Sequence, residues 1–292
     1  DRRTDPARGR CPSADRPGDV TNRLVAFDLP GGDAFVDALR RAWDAGDAVL
    51  PVDRRLPAAA KRGLIERMGA GAVLTANGEA RVDGGQPVEP GDALVMITSG
   101  TSGEPKGAVL THAAVEASAL ATSHRLGVTG DDHWLACLPL SHVGGLSVVT
   151  RALLTHTRLT VHDGFDPTAV EQSGASLVSL VPTAMQRINT QLFHWIVLGG
   201  TRPPAGRPAN TISTYGMTET GSGVVYDGRP LDGVEVRVVD GEIQLRGPML
   251  LRCYRDGTDP RTPDGWFPTG DLGRIEHADH AGSSESLNVT VD

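Results

Sequence analysis

From Arg23 to about Thr201 the chain repeats one pattern: a short apolar run, a polar turn, then a stretch with helical spacing. The runs are Arg23–Asp28, Ala48–Val52, Ala72–Thr75, Ala93–Ile97, Trp134–Pro139, Arg158–Val161, Leu177–Pro182 and Trp195–Thr201. Each has the length and composition of a buried strand. Between them Phe35, Val36, Leu39 and Trp43 fall on one helical face, as do Leu64, Ile65 and Met68. Thr111 is placed to cap a helix running through Leu120 and Leu126, and Asp166-Pro167 to cap another. Further helices are expected from Leu146 to Leu154 and from Thr183 to Ile188. Strands alternating with helices predict an α/β fold, with parallel strands covered by helices on both faces. The pattern changes after Asp227. Val234–Val239 and Glu242–Arg246 alternate about an Asp240-Gly241 turn, which predicts a hairpin. Glu276–Ser286 reads as a polar loop and Leu287–Val291 as a last strand, while residues 1–22 read as a flexible leader.

The most informative segment is Thr98-Ser99-Gly100-Thr101-Ser102-Gly103-Glu104-Pro105-Lys106-Gly107, which hangs between two apolar steps. Glycines let backbone approach a ligand, and successive N–H groups form an anion-binding concavity. The hydroxyls add donors and Lys106 a positive charge, a combination suited to a polyphosphate. Such clusters are most often plain surface turns. A Walker A loop would place Ser or Thr directly after the lysine; Gly107 stands there instead, so that reading fails.

This segment resembles the phosphate-binding signature of the acyl-adenylate-forming enzymes, which include acyl-CoA synthetases, adenylation domains and luciferases. Two further stretches resemble signatures of the same family: Tyr215-Gly216-Met217-Thr218-Glu219, and Gly265-Trp266-Phe267-Pro268-Thr269-Gly270-Asp271. The resemblance implies layered, mostly parallel sheets flanked by helices, with a small β-barrel at the C-terminal end. It divides the chain into a reduced subdomain over 23–92, an ATP- and acid-binding subdomain over 93–226 and the small barrel over 227–292.

The resemblance also implies roles for residues. ATP would be held by Thr98, Ser99, Gly100, Thr101, Ser102, Gly103 and Lys106, by Gly199 and Gly200 beside the base, and by Thr214, Tyr215, Gly216, Met217 and Thr218. Tyr215 offers a ring for stacking, Thr218 a hydroxyl for the α-phosphate and Asp271 acceptors for the ribose hydroxyls. Glu219 offers a hard oxygen to a magnesium ion that keeps most of its waters. His142, in Leu138-Pro139-Leu140-Ser141-His142, matches the gate beside the acyl pocket, and Gly200, Thr201, Ser222 and Gly223 would line that pocket. Lys106, His142, Thr218 and Glu219 form the implied catalytic set, although a lone histidine in a turn is by default structural.

Within the family, Thr214–Val238 looks most like the o-succinylbenzoate–CoA ligases of menaquinone biosynthesis. The resemblance then implies ATP, Mg2+ and coenzyme A as cofactor and co-substrates, and a dicarboxylate as the acid. Arg151 is the candidate for the second carboxylate, since arginine in an apolar helix is costly unless it meets an anion. A helix-surface arginine reads as well from the sequence alone. In that case a short- or medium-chain acyl-CoA synthetase becomes the alternative, beside a non-catalytic nucleotide-binding fragment. The family's C-terminal domain, with its catalytic lysine, would follow the last strand, and the expectation is that this sequence, which stops at Asp292, lacks it. Arg274 stands too close to Asp271 to be the hinge arginine before that domain. The expectation is a large domain that binds ATP and acid, adenylates weakly and forms no thioester.

Composition excludes several other classes. A net charge of −8 disfavours general nucleic-acid and membrane-surface binding. No apolar run is long enough to span a bilayer and the first residues lack a signal-peptide core. Cys11, Cys137 and Cys253 fit neither a disulfide framework nor a zinc pattern. A cytoplasmic enzyme is expected, with a homodimer left open.

Overall fold

The structure, a computed structural model, describes residues 9–10, 22–99, 104–202, 204–278 and 286–292. The first elements are β1 (Leu24–Asp28), α1 (Asp33–Asp44), β2 (Ala48–Pro51), α2 (Ala58–Arg67), β3 (Ala72–Thr75), β4 (Gly78–Arg81), β5 (Asp92–Ser99) and β6 (Pro105–Thr111). β1 pairs in parallel with β2 and β3, and β5 joins β2 in the same sense, as the β-α-β pattern predicts. β4 and β6 are antiparallel additions. The apolar step after the phosphate loop is therefore the return strand of a hairpin, with Thr98 opposite Lys106 and Ser99 opposite Pro105.

α3 (His112–Leu126) starts where expected: Thr111 Oγ1 accepts from Ala114 N at 3.1 Å. Next come β7 (His133–Ala136), α4 (Val143–Thr155), β8 (Arg158–Val161), α5 (Pro167–Gln172), β9 (Leu177–Leu180), β10 (Trp195–Leu198) and β11 (Thr211–Met217). Their strands form a parallel array in the order β8-β7-β9-β10-β11. β12 (Ser222–Tyr226) and β13 (Arg229–Pro230) extend it antiparallel. Asp166 caps α5 through Ala169 N, whereas the helix expected over Thr183–Ile188 is one turn, Pro182–Met185. β8 lies on one side of β7 and β9 on the other, so a crevice opens at the carboxyl ends of β7 and β9, where ligands of such sheets gather.

The hairpin β14 (Glu235–Val239) and β15 (Glu242–Arg246) turns at Asp240 and Gly241, with φ of 52° and 84°. Left-handed backbone at both positions is what a two-residue hairpin turn requires. β16 (Cys253–Tyr254) then leaves this unit and pairs with β6, closing the order β16-β6-β5-β2-β1-β3-β4. β17 (Phe267–Ala278) and β18 (Ser286–Val291) complete a four-stranded antiparallel sheet, β14-β15-β17-β18, a half-barrel where the small barrel was expected.

Glu276–Ala278 are not loop but the end of β17, paired with Ser286–Asn288. Their polarity misleads because one face of this strand looks into solvent, where Arg274 and Glu276 form an ion pair. The rest of that expected loop, 279–285, lies outside the described residues. So does the leader, apart from Asn22 and from Gly9–Arg10, which pair with Thr258–Asp259. The division expected at 92/93 falls at the first residue of β5, inside the first seven-stranded sheet, and that at 226/227 in the β12–β13 turn.

α3 packs on the first sheet, α4 on the second, and the two helices pack on each other. The main core runs through this sandwich, from Phe27 and Leu110 to Leu146, Trp134 and Val225. Among the described residues no helix is long and apolar enough to cross a membrane.

Candidate active site

Val143, Ser147 and Arg151 recur every fourth residue on α4, so one stripe of the helix runs along a cavity of about 310 Å³. Its other walls are the segments that follow β7, β9 and β10, with Ser222 and Gly223 from β12. These are the strand ends at the crevice.

Arg151 closes the cavity and is 2% exposed. Its side chain leans towards the start of α4, as long helical side chains do. Nη2 donates to Ser222 Oγ at 2.8 Å and to Ser147 Oγ at 3.4 Å, and the guanidinium stands 5.0 Å from the centre of the Trp134 ring. Nη1 has no hydrogen-bond partner among the described residues. Burial draws the pKa of Arg151 below its ordinary value, but a guanidinium does not lose its proton at neutral pH. An uncompensated buried charge costs several kcal/mol, so an anion would be well accommodated at this end of the cavity. The solvent-facing arginine on which the short-chain alternative depended is not what the fold contains. Tyr226, buried beside the same cavity and 3.2 Å from Thr122 Oγ1, was missed in the sequence.

At the other end, His142 is the N-cap residue of α4 but its ring makes no cap hydrogen bond. Nε2 lies 3.3 Å from an Arg55 nitrogen and 4.0 Å from Asp53 Oδ2. Arg55 hydrogen-bonds Asp53 and holds its carboxyl down at about 2. Leu138 and Pro139 also border a second cavity of about 420 Å³, lined by Asp53–Arg55 after β2 and by His162–Phe165 after β8.

A third cavity, about 550 Å³, brings Gly200, Thr201, Thr214, Tyr215, Gly216 and Asp271 together with β18. Gly200, Thr214 and Gly216 also line the Arg151 cavity, so the two spaces abut. Tyr215 donates its phenol proton to Asp271 Oδ2 at 2.9 Å. Burial, reinforced by the Asp271 carboxylate, raises the Tyr215 pKa and keeps that proton in place. Asp271 Oδ1 carries no hydrogen bond among the described residues. Thr214 Oγ1 donates to Leu198 O at 3.0 Å and so fixes the strand end from which Gly199 and Gly200 emerge. A bulge at Tyr215/Gly216 presses Gly216 against the Ser222 carbonyl, leaving no room for a Cβ.

Thr220 ties the next turn by accepting from Met217 N at 2.9 Å and lying 2.6 Å from Ser222 O. This leaves Thr218 part-exposed and turns Glu219 inward, 6% exposed. Glu219 Oε1 accepts from Tyr254 OH at 2.9 Å, and Lys106 Nζ sits 4.8 Å from the centre of the same ring. Lys106 and Glu219, far apart in sequence, thus meet on one tyrosine. Gly100, Thr101, Ser102 and Gly103 lie outside the described residues. Among the described residues no three acidic, histidine or cysteine side chains cluster as a metal cage. A magnesium ion bridging phosphates needs only one or two carboxylates, and Glu219 Oε2 carries no hydrogen bond among those residues. The donor set fits.

The sequence profile of the AMP-binding enzyme family matches residues 77–255, from just before β4 into the segment after β16. The chain belongs to the AMP-binding enzyme family. Among relatives, a probable 2-succinylbenzoate–CoA ligase of Mycobacterium tuberculosis is 39% identical over 222 residues, 67% of this chain and 57% of the relative. The 2-succinylbenzoate–CoA ligase of Enterococcus faecalis is 32% identical over 228 residues, 63% of this chain and 47% of the relative. The chain thus spans roughly half the length of the curated relatives it matches. Among solved structures, Escherichia coli MenE with a bound m-phenylether-linked analogue of OSB-AMS superposes with a TM-score of 0.76 at 27% identity, over 92% of this chain and 67% of that one. Tyr254, Tyr226 and Ser147 stand outside the three signatures. Only Ser147 left a trace in the sequence, one helical turn before Arg151.

Proposed function

We propose that this chain carries the nucleotide and acid sites of an AMP-forming acid–CoA ligase whose acid is o-succinylbenzoate, an intermediate of menaquinone biosynthesis in the cytoplasm. The observation that carries this reading is Arg151, buried and with a free guanidinium edge at the closed end of a cavity otherwise lined, His142 at its mouth apart, by apolar groups, glycines and hydroxyls. A monocarboxylic acid has no use for it once its carboxylate is being activated; a diacid needs it. The relatives named for 2-succinylbenzoate support the same choice.

In this reading the nucleotide lies in the cavity between β11 and β18. Tyr215 and Gly199–Gly200 flank the base, with Thr214, Gly216 and Met217 behind it, and Asp271 Oδ1 accepts from the ribose. The phosphates reach the Thr98–Gly103 segment and Lys106, with Thr218 at the α-phosphate. Glu219 would hold magnesium, which supplies charge neutralisation on the phosphate oxygens. The acid enters past His142, rests its aromatic body against Gly200, Thr201, Ser222 and Gly223, and sets its far carboxylate on Arg151. Its near carboxylate oxygen then attacks the α-phosphorus, pyrophosphate departs, and the thiol of coenzyme A later displaces AMP from the acyl group. The protein contributes positioning and fixed charges rather than covalent chemistry.

The test is a ligand series. Calorimetry with o-succinylbenzoate, benzoate and butyrate should give binding by the diacid alone. Equal binding of butyrate would return the choice to a short-chain synthetase.

A further inference from the structure

Tyr254 belongs to none of the three signatures, yet it touches the key residue of two of them. Its position follows from strand pairing: Tyr254 stands opposite Ala108, two residues beyond Lys106 on β6. Side chains two apart share a sheet face, so the Lys106 ammonium lies over the phenol ring, 4.8 Å from its centre. The same phenol donates to Glu219 Oε1 at 2.9 Å. The backbone on either side is held as well. Leu251 N donates to Glu219 O at 2.7 Å, and Arg255 N to Gly107 O at 2.7 Å. The Arg255 side chain locks the same segment onto Met68, Gln86 and Pro87 through their carbonyls.

From this geometry we infer that Tyr254 is a positioning residue for the metal–nucleotide complex. Its hydroxyl occupies Glu219 Oε1 and so presents Oε2 to the metal, while its ring keeps the Lys106 cation on the same platform. The inference rests on the proposed roles of Lys106 and Glu219 and names the group that sets their spacing. Without the phenol, a buried carboxylate on a free side chain would be ordered only when the ligand binds, and that ordering would subtract from affinity. Without the ring, Lys106 would lose the quadrupole that holds an ammonium in place.

The two contacts can be separated. Tyr254→Phe keeps the ring and removes one oxygen; Tyr254→Leu removes both contacts. ATP binding is measured by calorimetry across a magnesium titration, with AMP as the ligand that needs no bridging metal. In Tyr254→Phe we expect the magnesium concentration that half-saturates the ATP response to rise roughly tenfold, the scale of one hydrogen bond to a charged group. Binding of AMP and of magnesium-free ATP should be unchanged. Tyr254→Leu should show the same shift and also bind magnesium-free ATP more weakly. In Glu219→Gln the magnesium response should be lost already, and adding Tyr254→Phe should change nothing further.

Wild-type magnesium dependence in Tyr254→Phe would overturn the inference. So would equal losses for AMP and for Mg·ATP, the mark of a general packing defect. Absence of magnesium-dependent ATP binding in the wild type would sink the underlying nucleotide reading, and the inference with it.

Discussion

Arg151 holds a full charge where its neighbours supply two hydroxyls and an indole face. Hydroxyls solvate a guanidinium without neutralising it, so the folded protein carries a cost that the proposed bound carboxylate would relieve. Replacing such a charge by a well-packed apolar side chain is often neutral or stabilising, by about 1–4 kcal/mol. Arg151→Met should therefore leave the melting temperature unchanged or raise it; a marked fall would show that Arg151 serves the fold rather than a ligand. Asp53 gives a prediction of the opposite kind. Its folded pKa, about 2, lies below the ordinary 3.8 because Arg55 hydrogen-bonds the carboxylate. The stabilisation from that pair is complete above the ordinary value and disappears as pH falls through the folded one. Melts of wild type and Asp53→Asn taken from about pH 5 down to about pH 2 should thus differ most at the upper end and converge at the lower. Parallel curves across that range would remove Asp53 from the account of this corner of the site.

Among the elements, α4 acts as a ruler. Eight residues separate Val143, beside the His142 mouth, from Arg151, a rise of about 12 Å along the axis. In the proposed function the cavity beside it would have a carboxylate activated at the His142 end and a second one held at the Arg151 end. The bulge in β11 sets the width. An added methyl at Gly216 would meet the Ser222 carbonyl and Gly223 Cα, and backbone cannot swing aside as a side-chain tip can. Gly216→Ala should cost about 1–3 kcal/mol in chemical denaturation, the usual range for overpacking. It should also weaken acid and nucleotide binding together, because both cavities share this residue. An unchanged denaturation midpoint would contradict the packing described here. Elements such as the Thr111 and Asp166 caps were legible because their causes lie within four residues. β16 was not: Cys253–Tyr254 leave a β-rich stretch to pair with a strand far back in the chain, and no local signal announces such a crossing. Glu276–Ala278 looked like loop for a related reason, since an exposed strand face has the composition of one.

At the scale of the whole molecule, two seven-stranded sheets enclose α3 and α4, and a half-barrel covers the strand ends where the cavities abut. This arrangement brings the three signatures into contact with one another. Tyr215 meets Asp271 through a hydrogen bond, and Glu219 meets Lys106 through Tyr254. The signatures themselves could be read in the sequence because each is a contiguous run. Tyr254, which joins two of them, could not, since it reaches the site by tertiary pairing alone. Arg151 stood between these cases. An arginine within an apolar helix raised the question, and only the packing against Trp134 and Ser222 answered it.

In the proposed function one chain holds adjoining nucleotide and diacid sites, with Arg151 reading the second carboxylate. Its most direct test is calorimetric titration of wild type and Arg151→Ala with o-succinylbenzoate, with Mg·ATP titrated into both as an internal control for folding. The variant should lose about 2–5 kcal/mol of diacid affinity, the cost of truncating one partner of a buried charge pair, while its Mg·ATP isotherm overlays that of the wild type. Diacid binding that survives in Arg151→Ala would contradict the proposed function.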